Sequence, residues 1–151
     1  MREDLSWDCY FMHLAHSIKL KSPDPKIKKG GIIASDDHKV KSTGYNDIPK
    51  EDYNQIDWGN RESLDYFIVQ PEINCIVNAD PLVEFETSTL YLTHSPRSHS
   101  IKVLASAGIK KIIYDNCSGD IQLVKNICNY FMIEIIKYRP KEKIVIGSTT
   151  F

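Results

Sequence analysis

From residue 89 onward, short apolar runs alternate with helix-like ones, and this alternation leaves few architectures open. Residues 89–93 read as a buried strand, and Pro96 starts a helix through Ile101, Leu104 and Ala105 that Gly108 closes. Residues 109–114 read as the next strand, 120–131 as a helix and 133–138 as a last strand. A helix between two strands returns the chain to the same end of the sheet, so such strands pair in parallel beneath their helices. Earlier, residues 31–35 and 39–45 read as two short strands joined by the polar turn Asp36-Asp37-His38, the pattern of a hairpin. The predicted sheet is therefore mixed, and the fold class α/β.

The remaining segments frame that sheet. Trp7, Tyr10, Phe11, Leu14, Ala15 and Ile18 recur at three- and four-residue steps and mark one face of a helix, with Ser6 as its cap. Two close prolines in Lys21-Ser22-Pro23-Asp24-Pro25 end it. Residues 47–65 are polar, without a clear period, and leave two readings open: a long functional loop or a partly helical insertion. Pro71 suits the first turn of a helix whose buried face would be Ile73, Ile76 and Val77, stopped by Asp80-Pro81.

A chain of 151 residues fits a single domain, 1–151, able to bury about two-thirds of its unfolded surface. Its net charge of −1 argues against broad binding to polymeric nucleic acid or to a membrane. On that background, the basic clusters Lys26-Ile27-Lys28-Lys29 and Lys110-Lys111 read as solvated surface. No apolar run approaches the roughly 20 residues that span a bilayer, and no signal-peptide pattern opens the chain. Cys9, Cys75, Cys117 and Cys128 form no Cys-x-x-Cys pair, so they read as small, mostly buried hydrophobes rather than a zinc cluster.

Two segments carry the functional signal: Val69-Gln70-Pro71-Glu72-Ile73-Asn74, and Ser95-Pro96-Arg97-Ser98-His99-Ser100. They have the frame of a zinc-dependent nucleotide deaminase, in which a His, one residue and a Glu are followed later by Pro-Cys-x-x-Cys. Further motifs extend the likeness: Trp7-Asp8-x-Tyr10-Phe11-Met12, Ser22-Pro23-Asp24-Pro25, Ser42-Thr43-Gly44-Tyr45-Asn46, Thr89-Leu90-Tyr91-Leu92-Thr93 and Ala107-Gly108-Ile109-Lys110-Lys111-Ile112-Ile113-Tyr114. In this order the chain resembles deoxycytidylate (dCMP) deaminases, especially phage-type members of the cytidine deaminase-like superfamily. The resemblance implies a three-layer fold, a five-stranded mixed sheet with helices on both faces. It also implies a homo-oligomer, commonly a hexamer, and conversion of dCMP to dUMP, with dCTP and dTTP as regulators in some relatives. The expected location is the cytoplasm, that of the host if a phage encodes the chain.

The departures from the family pattern fall on the metal. Where the resemblance places the His and two Cys ligands, the chain has Gln70, Arg97 and Ser100, while Glu72 keeps the proton-shuttle position. Zinc brings the pKa of a bound water from about 15.7 to about 7, on the order of 12 kcal/mol, which a lone carboxylate cannot supply. An amide and a hydroxyl are poor zinc ligands, and a guanidinium repels the ion. His94 and His99 lie off the ligand positions. No metal and no cofactor are expected. Arg97 is expected either to contact Glu72 and close the cavity or to face a ligand phosphate or carbonyl. By resemblance Asn46 would hold a nucleotide sugar, although Asp47 replaces the glycine that usually follows it. Lys29-Gly30-Gly31 stands where the family has Val-Gly-Ala, as a lysine reaching phosphate or a flexible turn. The expected nucleotide-binding set is Asn46, Gln70, Glu72, Arg97, Ser100 and Lys29. The leading expectation is a catalytically inactive, dCMP deaminase-like protein that binds a nucleotide (dCMP, dCTP or dTTP, or a nucleotide signal) as a regulator or sequestering protein. Two alternatives stand beside it: an active zinc-dependent dCMP deaminase with an atypical site, and a structural subunit with a filled pocket.

Overall fold

Ser6 opens the first helix as its position predicts: its hydroxyl accepts the Cys9 N–H at 3.2 Å, and α1 runs Trp7–Ile18. The computed structural model describes residues 5–140, 145–146 and 149–150. After α1 come the hairpin β1 (Gly30–Ala34) and β2 (Val40–Tyr45), then the short helix α2 (Arg61–Leu64) and α3 (Pro71–Val77). The chain continues through β3 (Thr89–His94), α4 (Ile101–Ala107), β4 (Lys111–Asn116), α5 (Ile121–Tyr130) and β5 (Glu134–Lys137). Beyond the expected last strand, β6 (Val145–Ile146) pairs with β7 (Thr149–Thr150) in a separate two-stranded ladder.

The five-stranded sheet has the order β2-β1-β3-β4-β5. β1 pairs antiparallel with both β2 and β3, while β3–β4 and β4–β5 are parallel, so the sheet is mixed as the pattern requires. Side chains alternate across it with period two. Ile32, Tyr91 and Ile113 meet Phe11, Met12 and Ala15 of α1 on one face. Ile33, Leu90, Leu92, Ile112 and Tyr114 meet Cys75, Ile101, Leu104, Val124 and Cys128 on the other. Helices on both faces give three layers. Among the described residues no helix is long and apolar enough to cross a membrane.

Several expectations need correction. In α1 the buried positions are Cys9, Phe11, Met12 and Ala15, whereas Trp7 and Tyr10 are exposed. Trp7 instead stacks on His38 of the β1–β2 turn, ring centroids 4.2 Å apart. In α3 the buried residues are Pro71, Glu72 and Cys75, and Val77 is 70% exposed. That rotation follows from how α3 seats on the sheet: its backbone lies against Gly44 and the Cys75 sulfur against Gly31. Pro96 does not begin α4, because a 3-10 turn at Ser98–Ser100 intervenes. The stretch after β3 is still tied to β4, with Ser95 N–H donating to the Asn116 carbonyl at 2.7 Å, so helix starts only later. Residues 47–65 are partly helical, with a 3-10 turn at Pro49–Glu51 before α2.

Gly44 makes a tight seam between β2 and α3. A Cβ there would lie 2.7 Å from the Cys75 nitrogen and 2.8 Å from the Pro71 carbonyl oxygen, both backbone atoms that cannot swing aside. Gly44→Ala should therefore lower unfolding free energy by about 2 kcal/mol in urea denaturation, in the range of overpacked cores.

Candidate functional site

Because β1 runs antiparallel to β3, the start of β1 and the end of β3 share one end of the sheet, where the N-terminus of α3 also arrives. Four segments meet there: 27–29, 45–47, 70–74 and 93–97. Asn46 is the joint between the first two. Its Oδ1 accepts the Lys29 N–H at 2.8 Å and its Nδ2 donates to the Ile27 carbonyl at 2.9 Å. Its own carbonyl accepts the Ser22 hydroxyl at 2.9 Å. The side chain assigned to a nucleotide sugar thus holds the strand that carries Lys29. Asn74 does similar work one turn into α3, donating to the Tyr45 carbonyl at 2.8 Å.

Lys29 itself is only 7% exposed, which corrects its reading as solvated surface or a flexible turn. Its ammonium donates to Ser118 Oγ at 3.3 Å. Ser118 is in turn fixed by Ser95, whose Oγ accepts the Ser118 N–H at 2.7 Å and donates to the Ser118 carbonyl at 3.0 Å. Burial pushes the Lys29 ammonium below the ordinary lysine range, the carboxylate of Glu72 opposes that, and Arg97 adds to it.

Glu72 is 2% exposed on the first turn of α3. Its Oε1 accepts the Arg97 backbone N–H at 3.0 Å, so the anticipated Arg97–Glu72 contact is made by the main chain. The Arg97 guanidinium goes elsewhere: Nη2 lies 2.5 Å from Asp65 Oδ2, just past the end of α2. Gln70 caps α3 through its backbone, its carbonyl accepting the Ile73 and Asn74 N–H groups, and its side chain is half-buried. Ser100 is buried at the end of the 3-10 turn, its N–H donating to the Arg97 carbonyl at 3.0 Å. His99 is exposed. His94 is half-buried, with Nδ1 2.9 Å from Thr93 Oγ1. Burial, helped by the charges of Lys29, Lys19 and His16, pushes it down to about 4, so it is a neutral imidazole at pH 7.

The site therefore gathers Lys29, Glu72, Arg97 and Asn46, with Gln70 and Ser100 on the flanking backbone turns. An amide, a guanidinium paired with a carboxylate and a buried hydroxyl make a donor set that does not fit zinc, and the lysine ammonium beside them repels a cation. Among the described residues no three His, Cys, Asp or Glu side chains gather to hold a metal ion.

Several contributors were invisible in the sequence. Asp65 and Arg61 sit in a stretch with no period, yet Arg61 clamps Asp24 with Nη1–Oδ1 at 3.1 Å and Nη2–Oδ2 at 2.6 Å. On the opposite face Lys19 Nζ lies 2.8 Å from His16 Nδ1, and His16 Nε2 lies 2.7 Å from Asp115. Their only local signal is the helical spacing of His16 and Lys19.

Known proteins share this architecture. A cyanophage S-TIM5 dCMP deaminase in complex with dCMP and dUMP superposes with a TM-score of 0.75 at 22% identity, covering 91% of this chain and all of that one. The apo form of the same cyanophage enzyme gives 0.71 at 23% identity, over 90% and 100% of the two chains. In sequence, the chain is 27% identical to the deoxycytidylate deaminase of Homo sapiens over 157 residues, spanning 96% of this chain and 88% of that protein. It is 29% identical to ComE operon protein 2 of Bacillus subtilis (strain 168) over 115 residues, 74% of this chain and 60% of that protein. The three-layer sheet is that of the cytidine deaminase-like fold. Residues 5–116 match the family described as the cytidine and deoxycytidylate deaminase zinc-binding region, and with most of its length inside that match the chain belongs to this family.

Proposed function

We propose that this dCMP deaminase-like protein binds a pyrimidine nucleotide without deaminating it, and acts as a regulator or a sequestering protein. The observation that supports the reading is the buried Lys29 ammonium sharing a site with Glu72, with Gln70, Arg97 and Ser100 standing where the resemblance places the metal ligands. With Glu72 accepting a backbone N–H and a tethered cation near it, no activated water has a place in the chemistry, and no cofactor is called for. What supports a nucleotide ligand is family membership, together with the dCMP and dUMP bound by the S-TIM5 enzyme. In this reading Asn46 frames the pocket, Gln70 and Ser100 supply neutral hydrogen-bonding groups, and Lys29 and Arg97 supply positive charge toward an anionic ligand.

The test combines three measurements on one preparation grown with zinc: metal content, dCMP-to-dUMP turnover, and heats of binding for dCMP, dUMP, dCTP, dTTP and a cyclic dinucleotide. Saturable binding, substoichiometric zinc and no turnover are expected. Stoichiometric zinc with turnover that Glu72→Gln abolishes would establish the active-enzyme alternative instead.

The burial of Lys29 and the Arg97–Asp65 contact also favour a second reading, a structural subunit whose pocket is filled by its own side chains. Absence of heat with every nucleotide would select it. In either case we propose self-association in the cytoplasm. Tyr66, Val77, Leu82, Tyr130 and Met132 are exposed large apolar side chains that such an association could cover. Sedimentation of a monomer at micromolar concentration would count against it.

A further inference from the structure

The loop over the site is closed at its base, seated by the buried Ile48 and Leu64, and tied by two arginine–carboxylate clamps. Asp47 and Val69 exchange backbone hydrogen bonds, N–H to carbonyl at 3.1 Å in one direction and 2.8 Å in the other. The next residues outward are Asn46 and Gln70, so residues 48–68 form a flap whose two ends are site residues. The first clamp is buried: Arg61 grips Asp24, whose side chain is 1% exposed. The second is not. Arg97 and Asp65 are 39% and 54% exposed, and the Arg97–Asp65 hydrogen bond uses only one guanidinium nitrogen, Nη2.

An exposed pair of this kind contributes little net stability, because solvent screens it and both side chains lose freedom. A guanidinium with unused N–H groups is also a fork whose geometry matches a phosphate, which can take two parallel hydrogen bonds where Asp65 takes one. Arg97 sits on the segment whose backbone N–H binds Glu72, close enough to the buried Lys29 for their charges to interact. A phosphate arriving there would find Arg97 already oriented by its neighbours but occupied by the flap.

We propose that Arg97 is a phosphate-reading residue held in reserve by Asp65: a phosphomonoester entering the site takes the guanidinium from Asp65 and frees that corner of the flap. The proposal rests on the nucleotide-binding reading above and assigns the ligand's phosphate to Arg97. Asp65 is then an autoinhibitory contact, and removing it strengthens binding of phosphorylated ligands alone.

The experiment is calorimetric titration of dCMP, deoxycytidine and inorganic phosphate into the wild type, Asp65→Asn, and Asp65→Asn combined with Arg97→Gln. Both residues are substantially exposed, so the variants should fold, which their melting curves check. Asp65→Asn should bind dCMP about threefold to fivefold more tightly, leave deoxycytidine unchanged, and lose the gain when Arg97 is also replaced. Hydrogen exchange in residues 48–68 should speed up when dCMP is added to the wild type. If dCMP binds the wild type and Asp65→Asn changes nothing, Arg97 does not read phosphate, although nucleotide binding stands. An equal gain for deoxycytidine would overturn the proposal too, since a loosened flap alone would produce it. No heat from dCMP with the wild type or Asp65→Asn would overturn both readings together.

Discussion

Arg61→Ala should destabilise the protein by about 3 kcal/mol at pH 7, the largest loss expected from any single polar side chain in the loop. Asp24 is completely buried, and its carboxylate accepts the Arg61 guanidinium along with the Lys26 and Ile27 N–H groups at 2.9 and 3.1 Å. Burial alone would raise the Asp24 carboxyl, but Arg61 and the two amides outweigh it and hold the group below its ordinary value. The wild-type contribution is therefore present above the unfolded pKa of about 4 and is lost as pH falls through the lower folded value. In Arg61→Ala the burial effect is opposed only by the two amides, so the folded carboxyl takes up a proton more readily than it does in the wild type. The gap between wild type and variant should then narrow on acidification. Urea denaturation of both proteins from pH 7 down to about pH 2 measures it. A gap that widens toward acid would show that Asp24 is not the group Arg61 supports.

Lys29→Met and Glu72→Gln should each cost about 3 kcal/mol singly, whereas the double variant should be at least as stable as the wild type. Glu72→Gln leaves the buried Lys29 without the carboxylate that favours its charge, and Lys29→Met leaves the buried Glu72 without that ammonium; the double change leaves two neutral side chains of similar volume. Because burial lowers the Lys29 pKa, the folded state releases that proton more readily than the unfolded chain does. Wild-type stability should accordingly gain from Lys29 as pH rises from its folded value toward the ordinary lysine range, a gain absent in Lys29→Met. Additive single losses in the double variant would mean that the two groups do not sense one another. The same variants report on function: the stable double variant should lose affinity for every anionic nucleotide, because the pocket has lost its buried cation.

These effects show why the site is built from non-local contacts. Arg61 and Asp24 are 37 residues apart in sequence, Arg97 and Asp65 are 32 apart, and Lys29 reaches Ser118 across 89 residues. None of these separations carries a period or a spacing rule. The Lys26–Lys29 cluster looks like ordinary surface until Asn46 fastens the Lys29 backbone and carries the side chain inward. Similarly, Arg97 faces Glu72 in any linear comparison with the family, yet an extended backbone at that residue, with φ −68° and ψ 144°, aims its N–H at the carboxylate. The guanidinium is left to Asp65.

Element order, the mixed sheet and the place of Glu72 on a helix start were all legible in the chain, because hydrophobic alternation of period two or 3.6 is a local property. So was the ligand capacity of positions 70, 97 and 100, since it belongs to each residue's own side chain. The helix faces were less legible. α3 is turned by two glycines on other strands, Gly31 and Gly44, and a two-turn helix has too few apolar residues to impose its own orientation. Charge pairing was not legible at all. Which cation meets which carboxylate depends on burial and on angstrom-scale distances between remote segments, and those exist only once the chain has folded.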